Sequence, residues 1–166
     1  MYSIESLPLV TIYDDNLFIR NDYDMLSVGQ RNYLIQFFKK QGFQQKTGKI
    51  MTNGDMFIHF PRSQSNLAVS AYDKKLLQPS ANNLYCVTPT QFADVLFHLL
   101  LNKEKSEVLN AIKALIDKCP YNIEWLRDVS YRSDIEQITI DTYSELTLYQ
   151  KKVVEESLKE KKRCNM

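Results

Sequence analysis

The chain has 166 residues, of which 44% are hydrophobic and 25% are charged, and its formal net charge is +1. A chain of this length can bury about 70% of its unfolded surface, so the composition argues against disorder and against a need for disulfides or metal ions. Residues 1–10 lack the features of a secretory signal, and no apolar stretch approaches the roughly 20 residues of a membrane span. We therefore expect one soluble, cytoplasmic domain over residues 1–166.

The charges are unevenly distributed along the chain. Residues 1–26 hold five acids and one base, whereas residues 27–79 hold eight bases and two acids. Two interpretations follow from this asymmetry. Either an acidic N-terminal arm (1–26) lies against a basic sheet, or the basic segment meets an anionic partner.

The N-terminal part predicts a strand and then a helix. Pro8 to Tyr13 reads as an edge strand. Ser27 and Gln30 have the spacing of a capping box, which predicts a helix from about Val28 to Gln41 that ends at Gly42. Helical spacing predicts a buried face of Tyr33, Leu34, Phe37 and Phe38, with Arg31, Lys39 and Lys40 facing away.

Between residues 43 and 72 the hydrophobic period changes to two, which indicates strands. Asn53-Gly54 is a turn signal, because both central residues of a type I′ turn need positive φ. It predicts a hairpin of strands at about Phe43–Met51 and Asp55–Phe60, and a third strand at Asn66–Tyr72 completes a meander. In the second strand, Met56, Ile58 and Phe60 should point into the core, and Phe57 and His59 should point outward.

The second half of the chain is predicted to be mainly helical. A strand at Leu84–Val87 leads to a second capping box, Thr88/Gln91, and a third box is Thr147/Gln150. The predicted helices are Pro89 to about Leu101, Ser106–Lys118, Asn122–Asp128 and Leu148 into the tail. Trp125 is expected to anchor the packing of its helix, and the charged tail (156–166) is expected to fray. Residues 135–149 fit a strand and a helix equally well.

This element order predicts the α+β class. Strands linked by hairpins imply a small antiparallel sheet of three to five strands, with helices covering one face. After the sheet, the C-terminal half of the chain is predicted to be helical.

The sequence offers few candidates for catalytic residues. His59 and His98 lack an acid at a fixed spacing, so they predict neither a metal site nor an acid–base pair. Cys86 lies just before the predicted start of a helix, where a thiol can be activated, but its apolar neighbours favour a buried structural cysteine. No phosphate loop, dinucleotide fingerprint or nucleophile elbow occurs, so we predict no cofactor and no metal.

The outward face of the predicted sheet is the best candidate for a binding site. The residues expected on it or at its strand ends are Phe57, His59, Arg62, Tyr72 and Lys74. Aromatic and basic groups together suit a protein interface. We therefore predict a non-enzymatic interaction module, a small regulator, adaptor or inhibitor that docks a protein partner.

Two alternatives remain open. The same face has the ingredients for stacking nucleic-acid bases and holding phosphates. An enzyme without a recognisable motif would use His59 or Cys86.

Overall fold

The computed structural model describes residues 1–13, 27–61, 73–78, 81–131 and 133–164. The α+β class is confirmed, with a five-stranded sheet and a helical C-terminal half. The elements are β1 (Leu9–Thr11), α1 (Val28–Lys40), β2 (Gln44–Thr47), β3 (Ile50–Asn53), β4 (Met56–His59), a 3₁₀ helix (Lys74–Leu77), β5 (Asn83–Val87), α2 (Pro89–Leu99), α3 (Lys105–Ile116), α4 (Ile123–Ser130) and α5 (Glu136–Cys164).

The sheet has the strand order β1-β5-β4-β3-β2. Strands β2, β3 and β4 are antiparallel neighbours, but β5 runs parallel to both β4 and β1. The prediction of a purely antiparallel sheet was therefore wrong. Hairpin signals report only local pairing, whereas a parallel pair forms across a long connection that carries no such signal.

The hairpin predicted near Asn53-Gly54 is present. Asn53 pairs with Met56, so the turn residues are Gly54 and Asp55, and Gly54 has a φ of +58°. The predicted strand Phe43–Met51 was wrong in its extent, because Thr47 pairs with Ile50 and divides this segment into β2 and β3. The predicted third strand, Asn66–Tyr72, lies outside the described residues.

Helices cover both faces of the sheet, not one as predicted. On one face α1 packs onto a core of Val10, Leu34, Phe38, Met51, Ile58, Phe60 and Cys86. On the other face Leu9 and Val87 join the larger core formed with the helical half. Because side chains alternate along a strand, β1 and β5 contribute to both cores.

The helix α1 ends as predicted, but its faces differ from the prediction. Gly42 follows its last turn with a φ of +87°. Tyr33 is 56% exposed, so its expected burial was wrong. Arg31 was expected to face away, yet its guanidinium lies 5.2 Å from the Phe60 ring centroid and donates to the Pro61 carbonyl at 2.9 Å. The long aliphatic stem of arginine lets it cover apolar surface in this way.

Two of the three predicted helix caps form. The Ser27 hydroxyl accepts from the Gln30 amide at 3.1 Å, and the Gln30 side chain accepts in return from the Ser27 amide at 2.8 Å. The Thr88 hydroxyl accepts from the Gln91 amide at 3.2 Å. Thr147 instead lies inside α5, which includes almost all of residues 135–149 and settles their ambiguity in favour of helix.

The edge strand predicted at Pro8–Tyr13 is present as β1, which lies at the edge of the sheet. Leu7, Leu9 and Val10 in this part of the chain are buried. The helix α5 continues to Cys164, with exposed side chains along the described part of its last turns. Fraying of this tail stays a prediction.

Candidate functional site

The candidate site is a group of side chains that we call the β3–β5 face. Strand register places Thr52, Phe57 and Asn83 in one row across three neighbouring strands, and Ile50, His59 and Tyr85 in the next row. All six side chains are half-buried. They share one side of the sheet with Leu9 of β1 and Val87 of β5, which are fully covered by the larger core.

Three rings form a ladder across β4 and β5. The rings of His59 and Tyr85 are stacked with centroids 4.8 Å apart, and the Phe57 ring lies 6.5 Å from His59 at an angle of 34°. Stacked and tilted ring pairs of this kind stabilise one another beyond simple area burial. The ladder is therefore a pre-assembled aromatic surface.

A cation lies at one end of the ladder. The ammonium of Lys75 is 5.7 Å from the Tyr85 centroid, within the range of a cation–π interaction. Lys75 also forms a 2.7 Å ion pair with Asp73, which caps the 3₁₀ helix by accepting from the Lys75 amide. These hydrogen bonds lower the pKa of Asp73 and raise that of Lys75. Buried Leu76 fixes this helix to the larger core, and Lys74 is exposed beside Lys75.

The orientation of the His59 ring is fixed by Asn83. The Nε2 atom of His59 lies 2.7 Å from the Asn83 side-chain oxygen, so this nitrogen carries the proton of the hydrogen bond. The bond joins β4 to β5 and holds the ring against Tyr85.

Cys86 lies on the opposite side of the sheet from the β3–β5 face. Its side chain is 3% exposed and belongs to the core beneath α1. Burial raises the pKa of the Cys86 thiol far above its usual value, and the more distant charge of Arg31 offsets only part of this. A thiol in this environment stays protonated, which does not suit a nucleophile.

The structure brings together some of the predicted site residues. Phe57 and His59 lie in adjacent rows on the same side of the sheet, as expected from their spacing. Lys74 lies in the 3₁₀ helix, and the next residue, Lys75, reaches the ladder. Arg62 and Tyr72 lie outside the described residues.

Sequence reasoning missed two members of the face, Asn83 and Tyr85. The predicted strand was Leu84–Val87, without Asn83; the alternation of Asn83, Tyr85 and Val87 is the signal that could have placed them on one side of a strand. No local pattern showed that this strand lies beside β4, because the pairing is parallel and the two strands are separated by more than twenty residues.

Other classes of site find no support in the described residues. No helix there combines the length and the apolar content needed to cross a membrane, and no three acidic, histidine or cysteine side chains are grouped to hold a metal. Comparisons of the chain with protein-family models, curated proteins and solved structures gave no match. Function must therefore be inferred from the site itself.

Proposed function

We propose that this chain is a protein-interaction module that docks a partner on the β3–β5 face. The observation that carries the proposal is the ladder of Phe57, His59 and Tyr85, which is assembled in the free chain and only half-buried. Aromatic side chains are enriched in the centres of protein interfaces, where they supply most of the binding energy. A ladder that is already ordered loses little conformational freedom when a partner covers it.

The chemistry of the partner follows from the charges around the ladder. Lys75 is exposed with its ammonium beside the Tyr85 ring, and Lys74 is its exposed neighbour in the 3₁₀ helix. Opposite charges at the rim of an interface steer association and fix its orientation. We infer a partner segment that presents an apolar or aromatic side chain to the ladder and acidic side chains to the lysines. By covering that segment, the module acts as a regulator, adaptor or inhibitor.

A nucleic-acid ligand is the second candidate. The observation that favours it is the row of a lysine and three rings, since planar bases stack on such rings while cations hold the phosphates. The two candidates differ in salt dependence. Binding of an oligonucleotide falls steeply and linearly with the logarithm of salt concentration.

The test compares variants in affinity capture from cells that produce the protein, after nuclease treatment. The variants are Phe57→Ala in the ladder, Lys75→Glu at its rim, and Tyr33→Ala as the matched control. Tyr33 is an exposed aromatic residue of α1, away from the β3–β5 face. A captured protein is then purified, and its affinity for each variant is measured.

We expect the partner to bind the unaltered chain and Tyr33→Ala equally. Phe57→Ala should weaken binding about 30-fold, which corresponds to the ~2 kcal/mol of an interface hot spot. Lys75→Glu should reduce the association rate, with a smaller effect at high salt. Equal capture by all variants would overturn the proposal. Capture that is lost after nuclease treatment would favour the nucleic-acid candidate.

A further inference from the structure

A separate cleft lies where the start of α2, the segment before α4 and the middle of α5 meet. Its volume is about 340 Å³. Its lining includes the apolar residues Pro89, Pro120, Ile123 and Val154 and the aromatic residues Tyr13 and Tyr121. A volume of this size falls within the range of small-molecule sites, which are also mostly apolar.

Two polar side chains buried in the wall, Gln150 and Thr90, are held by bonds within the protein. The Gln150 amide accepts from the Tyr121 amide at 3.0 Å and donates to the Tyr121 carbonyl at 2.8 Å. The Thr90 hydroxyl accepts from the Asn122 amide at 3.0 Å. These groups are thus engaged in fixing the wall. The Thr147 hydroxyl in the lining differs, since it is buried without a hydrogen-bond partner among the described residues. Most of the remaining lining below the rim is apolar.

Local constraints hold two parts of the cleft wall. Pro89 is the first residue of α2 behind the Thr88 cap, and Pro120 has a fixed φ in the segment that Gln150 holds. A preformed wall lowers the cost of ordering on binding. An apolar group in the cleft would remove apolar wall surface from water, which is favourable.

We infer that this cleft binds a small, uncharged, apolar molecule. Its rim carries two acids and one base, Glu124, Glu155 and Lys151, all exposed. The rim therefore offers no net positive charge to an anionic head group. The inference does not depend on the β3–β5 face, which lies elsewhere on the molecule.

The probe for the test is N-phenyl-1-naphthylamine, a neutral fluorophore whose emission rises in apolar surroundings. Val154→Trp fills the cleft from α5, where Val154 is half-buried in the lining. The matched control is Leu158→Trp, one helical turn further along α5, where the side chain is 53% exposed and outside the lining. Fluorescence titrations give the affinity of each chain for the probe.

We expect saturable binding with one probe per chain for the unaltered protein and for Leu158→Trp, and at least tenfold weaker binding for Val154→Trp. A second measurement, independent of any variant, follows the methyl resonances of Ile123 and Val154 during the titration. These should shift more than the methyl resonances of Leu34, which lies beneath α1. The inference is overturned if the unaltered chain shows no saturable binding, if Val154→Trp binds equally well, or if the cleft resonances do not move.

Discussion

Gln150 joins α5 to the segment before α4 through both ends of its side-chain amide. Its partners are the backbone N–H and carbonyl of Tyr121, which is 4% exposed. Buried backbone groups are almost always paired, because leaving one without a partner costs its full desolvation. One side chain thus satisfies two groups that no secondary structure could reach.

Replacing Gln150 with Ala should lower the free energy of unfolding by at least about 1–3 kcal/mol, because both Tyr121 groups lose their partner. Gln137→Ala is the matched control, since the Gln137 amide bonds only the exposed Asp141 of the same helix. It should change stability by less than ~0.5 kcal/mol. Urea unfolding of the two variants measures the difference. Equal effects would show that the bonds of Gln150 contribute nothing beyond a surface contact.

The surroundings of His98 change its pKa. It lies on α2 with its side chain 11% exposed, and Nδ1 is 2.9 Å from the Asp94 carbonyl oxygen and 3.4 Å from the Asp94 carboxylate. The expectation that His98 lacks an acid at a fixed spacing was therefore wrong, because Asp94 is four residues earlier on the same helix. Burial alone lowers the pKa of His98. The bonds to Asp94, together with the charges of Asp94 and Asp134, outweigh burial and raise the pKa above its usual value.

A raised folded-state pKa means that protonation of His98 stabilises the fold. This stabilisation is complete below the unfolded value of about 6.5 and is lost as the pH rises through the folded-state pKa. The urea midpoint should therefore fall over that interval, and this component should disappear in His98→Gln. NMR titration of the ring should give a pKa above ~6.5 in the unaltered chain and a lower one in Asp94→Asn. A value below ~6.5 in the unaltered chain would show that burial dominates.

At the scale of elements, caps and local turns were predictable, but one cap pattern was misleading. Ser27 and Thr88 begin helices, as their spacing to a glutamine predicted. Thr147 and Gln150 have the same spacing inside α5. Residues three apart also share one face of a continuous helix, so the pattern alone does not separate a helix start from a helix interior. In α5 this face points to Tyr121 and the cleft.

The two threonines give a direct comparison through the same substitution. Thr88→Val removes the hydroxyl that caps α2 and should cost about 0.5–2 kcal/mol. The Thr147 hydroxyl is buried and has no hydrogen-bond partner among the described residues. Thr147→Val keeps the size of the side chain and removes this unpaired group, so stability should stay equal or rise. Thermal or urea unfolding measures both variants, and a loss at Thr147 as large as that at Thr88 would contradict the difference in roles.

The candidate site was only partly predictable, because part of it depends on pairing between strands that are distant in the sequence. Alternation placed Phe57 and His59 on one side of β4, and the turn at Gly54 fixed their neighbours on β3. Their neighbours on β5, Asn83 and Tyr85, depend on a parallel pairing that forms between distant segments. Period-two patterns report which side chains share a face, but not which strands lie next to each other.

At the scale of the whole molecule, two cores lie on opposite faces of a shared sheet. Val10 and Cys86 belong to the core beneath α1, and their strand neighbours Leu9 and Val87 belong to the larger core. Loss of either core exposes one face of β1 and β5 and weakens the strands that support the other. We therefore expect the described parts of the chain to unfold together.

Leu34→Ala tests this coupling from one core to the other. Leu34 is fully buried beneath α1, so the substitution should cost about 2–5 kcal/mol. The single tryptophan, Trp125, packs against the larger core on the opposite face and reports the state of the helical half. If the two cores unfold as one, the urea midpoint seen by Trp125 fluorescence should shift as far as the midpoint seen by far-UV circular dichroism.

The control for this experiment is Leu148→Ala on α5, where the side chain is 71% exposed and stability should change by less than ~0.5 kcal/mol. If the two cores unfolded independently, Leu34→Ala would shift the two urea midpoints by different amounts. The dichroism would then show an early transition for α1 and its strands, while the fluorescence midpoint stayed at the value of the unaltered chain. Coincident shifts require β1 and β5 to transmit the loss of one core to the other, since among the described strands these two have side chains in both cores.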